Sequence, residues 1–200
     1  DPTTMMFAKF SPDGSRVAYV SKQNIYVENI ASGDIKQITN DGGNNIINGT
    51  FDWVYEEELD CRDGFRWSSD GKYIAYWQSD TEGVGTFYMI NNIDSIYSKP
   101  IPMPYPKVGT TLSAVKVGVI SSEGGETKWF EIEGDPRNNY IARMDFIPNS
   151  NDLLIQHHAN SYVHCSEHLG QAPHRGYNHI QVFLTAQWQV LQQLCIRRSY

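Results

Sequence analysis

The sequence predicts an all-β protein: a partial β-propeller of about three blades or blade pieces over residues 1–156, followed over 157–200 by an atypical tail that reads as helical or disordered. Three observations carry this expectation. A unit made of an aromatic residue, a polar turn and an apolar strand recurs as "FSPDGSRVAYV", as "FRWSSDGKYIAYWQSD" and, degraded, as "MDFIPNSNDLLIQ". The stretches between the copies read as further short strands, which suits a blade of four strands repeated about an axis; a β-sandwich, the alternative, has no need of self-similar units. Finally, composition changes abruptly at His157: all six histidines lie from there to Tyr200, with one acid, Glu167, and neither lysine nor aspartate.

Each element follows from local chemistry. Pro12, Asp13 and Gly14 form a turn ahead of a strand at Val17–Val20; "NIYVENI" and "GDIKQIT" read as the next two strands. In the second copy Ser69, Asp70 and Gly71 make the turn and Tyr73 to Trp77 the strand, and in the third Pro148 and Asn149 replace the Pro-Asp pair. The copies are unevenly spaced, and both gaps exceed a bare blade of about 40 to 50 residues, so extra segments project from the sheets. One carries "FDWVYEEEL". The other carries "SIYSKPIPMPYPKVGTT", whose four prolines between Pro100 and Pro106 cannot donate to a ladder and predict an extended surface loop. In the tail, Ile180, Phe183, Leu184, Trp188, Leu191, Leu194 and Cys195 recur at roughly helical spacing, with Arg197 and Arg198 at the C-terminal end. Because the blade pattern stops within a unit, a stretch translated out of frame or joined from elsewhere is the preferred reading of 157–200.

Composition excludes several function classes. A formal net charge of −7 and a pI near 5.3 provide no basic field for a nucleic-acid backbone. No apolar run approaches the roughly 20 residues of a membrane span. Cys61, Cys165 and Cys195 form no Cys-x-x-Cys pair and no disulfide framework, and the spacing of His164, Cys165, His168 and His174 fits no standard zinc pattern. Neither a metal nor a cofactor is therefore expected. Trp53, Trp67, Trp77 and Trp129 read as packing residues, Tyr105 as part of a surface loop, and the sequon Asn48-Gly49-Thr50 as a turn.

The acidic run Glu56, Glu57 and Glu58 is the one candidate site. Such a run ordinarily marks a solvated face. Here it is flanked by Trp53, Tyr55 and Leu59 and falls in an insertion. Asp52 as N-cap predicts a short helical turn with the acids near the positive end of its dipole. Adjacent carboxylates repel one another, and partial burial beside aromatics raises that cost, so the arrangement suits an arriving cation. A primary ammonium group has three N–H donors, enough to bond two carboxylates with charge assistance. The free N-terminus of a peptide is such a group.

"FDWVYEEEL", "FRWSSDGKYIAYWQSD" and "PIPMPYPKVG" together resemble the N-terminal β-propeller domain of dipeptidyl peptidase IV-like serine peptidases, bacterial type, in the prolyl oligopeptidase group; the resemblance runs from Phe7 to Gln156. It implies that Glu57 and Glu58 hold the α-amino group of a peptide substrate, with Glu56 as their neighbour, and that this pair acts as a ruler for release of Xaa-Pro dipeptides. It also implies that the chemistry belongs to a C-terminal α/β-hydrolase domain. No Gly-x-Ser-x-Gly elbow occurs in this chain, so no catalytic residue is assigned and the chain alone is not expected to hydrolyse peptides. A substrate-binding arginine of the family falls ahead of Asp1, and Arg62, Arg66 and Arg143 do not match it. The expected partners are a peptide N-terminus, the hydrolase domain of a parent chain and a second copy in a homodimer, the parent being periplasmic, secreted or membrane-anchored. Two other readings stay open: a non-catalytic propeller that docks a partner protein through the acidic insertion, and a related peptidase with a tripeptidyl ruler.

Overall fold

The computed structural model describes residues 4–132, 134–159 and 179–183. Its recurring local object is the polar turn. In the first copy the Ser11 hydroxyl donates to Asp13 at 2.6 Å and accepts from the Arg16 amide at 3.0 Å. The second repeats this, with Ser68 donating to Asp70 at 2.7 Å and accepting from the Tyr73 amide at 2.9 Å. Gly14 and Gly71 take the left-handed φ that each turn requires. The third copy keeps the five-residue backbone closure, Ile147 N–H to Asp152 carbonyl, equivalent to Ser11 to Arg16 and Ser68 to Tyr73. There the left-handed residue is Asn149, a residue that tolerates this conformation.

These turns join strands into successive open sheets, those of a partial propeller. The first sheet has the order β1 (Met5–Phe10), β2 (Arg16–Ser21), β3 (Asn24–Asn29), β4 (Ile35–Gln37). In the second, β7 (Tyr73–Asp80) pairs on one side with β10 (Ala114–Ser121), which carries β11 (Lys128–Trp129), and on the other with both β5 (Ile46–Asn48) and β6 (Phe65–Trp67). The third contains β12 (Asn139–Phe146), β13 (Leu153–Ala159) and β14 (His179–Phe183). All these pairings are antiparallel. The second sheet lies between the other two, and β7 is buried on both faces. Ile74 and Tyr76 point into a cluster with Ala18, Val20, Ile25 and Val27 of the first sheet. The alternate residues Ala75 and Trp77 pack with Ile141, Met144, Phe146, Leu153 and Ile155 of the third.

The edge opposite β10 positions the acidic segment. β5 pairs with Gln78 to Asp80, and β6 with Ile74 to Tyr76. They are two halves of one interrupted strand, and residues 49–64 loop out between them. The loop is pinched at its base: Gly49 N–H bonds the Trp77 carbonyl at 3.0 Å, Trp77 N–H bonds the Gly64 carbonyl at 3.0 Å, and Gly64 N–H bonds the Gly49 carbonyl at 2.9 Å. A Cβ on Gly64 would lie 2.6 Å from the carbonyl carbon of Gly49, which is backbone and cannot swing aside.

Three expectations are corrected. Residues predicted as an extended loop include β9 (Lys99–Pro104), which pairs with β8 (Thr86–Asn91) in a separate two-stranded hairpin. The prolines at 100, 102 and 104 alternate, so every missing N–H falls on one edge, and Lys99, Ile101 and Met103 remain to pair with Asn91, Met89 and Phe87. In the tail, His179–Phe183, where the helical spacing was read to begin, is a strand bonded to β13. The rest of that helical reading and the His164, Cys165, His168 and His174 cluster lie outside the described residues. The sequon reading as a turn also changes: Asn48 is a fully buried strand residue that donates to Asp41 at 2.9 Å and accepts from Gln78 at 2.8 Å.

Two predictions follow from the turns and the pinch. Hydrogen bonds from the Ser11 hydroxyl and from Ser15 hold Asp13 down at about 2. In Asp70 burial pushes upward, but bonds from the Lys72 amide, Ser68 and Asn151 outweigh it and the carboxyl again sits at about 2. A folded value below the unfolded one of about 3.9 stabilises above pH ~4 and is lost as the pH falls towards ~2. Stability followed by circular dichroism should therefore drop over that window, and the Asp13→Asn, Asp70→Asn double variant should show a flatter acid limb. Gly64→Ala should lower the urea midpoint by the equivalent of about 1–3 kcal/mol through the forced backbone shift.

Candidate amine-binding site

The acidic segment forms α1, Trp53–Glu57. It starts where expected: Asp52 is extended, and its Oδ1 accepts the Tyr55 N–H at 3.1 Å. The other carboxylate oxygen accepts from the Ser113 hydroxyl. With both oxygens bonded, Asp52 tolerates being only 5% exposed. Val54 and Tyr55 form the buried face. The Tyr55 ring stacks on Phe51 at 5.3 Å, Phe51 meets Trp77 edge-on at 5.2 Å, and the Tyr55 hydroxyl accepts the Ile141 N–H at 3.0 Å. Burial pushes that phenol well above its ordinary value, so it stays neutral.

The helix ends after five residues. Glu58 is its C-cap, with N–H bonded to the Val54 carbonyl, and Cys61 N–H takes the Tyr55 carbonyl. Of the three acids expected near the positive end, only Glu56 lies in the first turn; Glu57 and Glu58 fall at the C-terminal end because the helix stops at Glu57. Exposed carbonyls there make the local field negative, which opposes two further carboxylates and favours a cation. Glu57 and Glu58 are exposed, while Glu56 is half-buried. Burial raises the Glu56 carboxyl above the usual range; Arg62 opposes the rise, and Glu57 and Asp52 add to it. Arg62 reaches Glu57 at 3.9 Å with both side chains at least half exposed, a contact that an incoming ammonium group can replace.

Arg66 and Arg143 are occupied in holding the loop. Arg66 donates to the Asp63 and Phe65 carbonyls and pairs with the Asp63 carboxylate at 3.2 Å. Arg143 donates to the Leu59 carbonyl at 2.8 Å and to the Cys61 sulfur at 3.1 Å. Sequence reasoning found Asp52 as the cap but missed Ser113, Tyr55 and Arg143 as supports, since their partners are remote in the chain. Trp77 is the packing residue expected, its indole N–H bonded to the Ile141 carbonyl at 3.0 Å, while Trp53 lies on Tyr105 with ring centroids 4.3 Å apart. Among the described residues no group of three or more His, Cys, Asp or Glu is placed to hold a metal ion.

Replacing Tyr55 by Phe would leave the buried Ile141 N–H without its acceptor. The expected cost is about 1–3 kcal/mol, read as a lowered urea midpoint with the denaturant slope unchanged.

Known proteins resemble this chain in sequence and in fold. The family model described as the dipeptidyl peptidase IV (DPP IV) N-terminal region matches residues 1–160. A protein of Aspergillus fumigatus named probable dipeptidyl peptidase 4 is 34% identical over 157 residues, covering 75% of this chain and 20% of that protein. Dipeptidyl aminopeptidase B of Saccharomyces cerevisiae is 33% identical over 154 residues, covering 74% of this chain and 19% of its own. The crystal structure of Porphyromonas gingivalis dipeptidyl peptidase 4 shares the fold with a TM-score of 0.71 at 32% identity, over 78% of this chain and 22% of that one. The chain thus spans about a fifth of the length of the relatives it matches. With a match over residues 1–160 of 200, the chain belongs to the dipeptidyl peptidase IV N-terminal region family.

Proposed function

We propose that this chain is the substrate-gating, amino-terminus-binding propeller portion of a dipeptidyl peptidase IV-like serine exopeptidase that releases Xaa-Pro dipeptides. Glu57 and Glu58 take the α-ammonium group of the substrate. The observation that carries the reading is a pair of exposed, consecutive carboxylates at the C-terminal end of a helix whose other face is pinned by buried contacts. Held there, the two carboxylates each accept a charge-assisted N–H bond, and the third ammonium proton faces solvent or the rest of the substrate. Binding at the amine fixes where the substrate begins. The distance from this pair to a nucleophile then selects the bond that is cut, which makes the site a ruler. The nucleophile, its base and its oxyanion hole belong to an α/β-hydrolase domain in the remaining length of the parent protein, the second partner of this segment.

The test uses the full-length peptidase and an Xaa-Pro substrate with a free N-terminus. Glu57→Gln and Glu58→Gln should each reduce kcat/KM by roughly 10- to 150-fold, the loss of a hydrogen bond to a charged group. Binding requires the ammonium form, so KM should rise as the pH passes the α-amino value of about 7.7–8.0. Near wild-type cleavage in both variants would refute the assignment.

A further inference from the structure

We propose that Tyr105, at the base of the β8–β9 hairpin, is a positioning residue for the Glu57–Glu58 pair and acts through Trp53. This rests on the reading of that pair given above. A five-residue helix gains almost nothing from its own hydrogen bonds and takes its position from what it packs against. Asp52 and Ser113 hold the start of α1, and Tyr55 holds its buried face. The remaining face carries Trp53 and, one turn later at i+4, Glu57. Trp53 rests on Tyr105 with ring centroids 4.3 Å apart, and Tyr105 rests on Phe87 at 5.3 Å. Three rings thus run from the acidic helix into the hairpin.

Tyr105 is itself rigidly mounted. Pro104 and Pro106 flank it; the first has a fixed φ, and the second restricts Tyr105 to extended backbone. Its N–H bonds the Gly85 carbonyl at 2.8 Å, closing the hairpin base. Pro106 is buried, which anchors the segment to the body of the protein. The ring that meets Trp53 is therefore a fixed stop, and it sets where Trp53 lies and with it the turn that presents Glu57 and Glu58.

The experiment compares two inhibitors on the full-length enzyme: an aminoacyl pyrrolidide with a free α-amine, and its desamino counterpart. The ratio of their inhibition constants isolates the contribution of the amine. Tyr105→Ala should shrink that ratio about tenfold, the scale of one misplaced bond to a charged group, while leaving the desamino constant within twofold. Tyr105→Phe, which keeps the ring, should restore the wild-type ratio. An unchanged ratio, or equal weakening of both inhibitors, would overturn the proposal. Should Tyr105→Ala fail to fold, Tyr105→Leu retains apolar volume without the ring and is read in the same way. Glu57→Gln and Glu58→Gln run alongside: if they too leave the ratio unchanged, the amine-binding reading itself fails, whereas a fall in those two with none in the Tyr105 variants removes the positioning role alone.

Discussion

The arrangement depends on one closure, where Gly49 and Gly64 meet opposite Trp77. A sheet edge can tolerate an interruption only if its ladder resumes in register on the far side. Gly64 comes so close to Gly49 that a Cβ would lie 2.6 Å from the Gly49 carbonyl carbon, a Cβ on Gly49 would meet Ile25 and Val20, and Trp77 bonds to both glycines with its amide and carbonyl. The edge of the second sheet thereby continues from β5 to β6 as though nothing intervened. The residues between are freed from the sheet without loosening it. Trp77 also fills the space between the second and third sheets, so the point that closes the loop is part of the core.

From that fixed base the segment borrows its order from its surroundings. Asp52 spends both oxygens inside the protein, one on the helix and one on Ser113. Tyr55 ties the helix to β12, and Arg143 on the same strand holds the carbonyl of Leu59. The acids themselves make little contribution to this support. Their mutual repulsion and the negative end of the helix both oppose the charge they carry, and a cation beside them would offset both effects. Because Asp52, Tyr55 and Arg143 hold the helix and the loop after it, only the exposed side chains of Glu57 and Glu58 would remain to be ordered by a ligand.

Local chemistry was readable and distant pairing was not. The Ser-Asp-Gly turns could be recognised because donor, acceptor and left-handed residue all lie within six positions, as Ser11 to Arg16 shows. Asp52 was recognisable as a cap for the same reason. The length of α1 was hidden, since it is set by Cys61 turning back onto Tyr55 and by a glycine pair fifteen residues apart in sequence. Ser113 and Ile141 gave no sign of their roles; they meet the helix only through the fold. Asn48 looked like a turn residue because nothing near it announces Asp41 and Gln78 as partners. The prolines of β9 misled in an instructive way: proline count argued for a loop, while proline spacing, every second residue, is compatible with a strand that needs donors on one side only.

That spacing has a consequence for the hairpin's outer rim. Since Pro100, Pro102 and Pro104 sit opposite Ile90, Tyr88 and Thr86, the N–H groups they lack are those that would have pointed away from β8. The free side of β9 is a selvedge, finished with carbonyl oxygens and no matching donors, and a passing strand finds only half of a ladder there. The hairpin thus exposes apolar side chains such as Tyr88 and Ile90 on its faces while one of its two borders is closed to strand-by-strand growth.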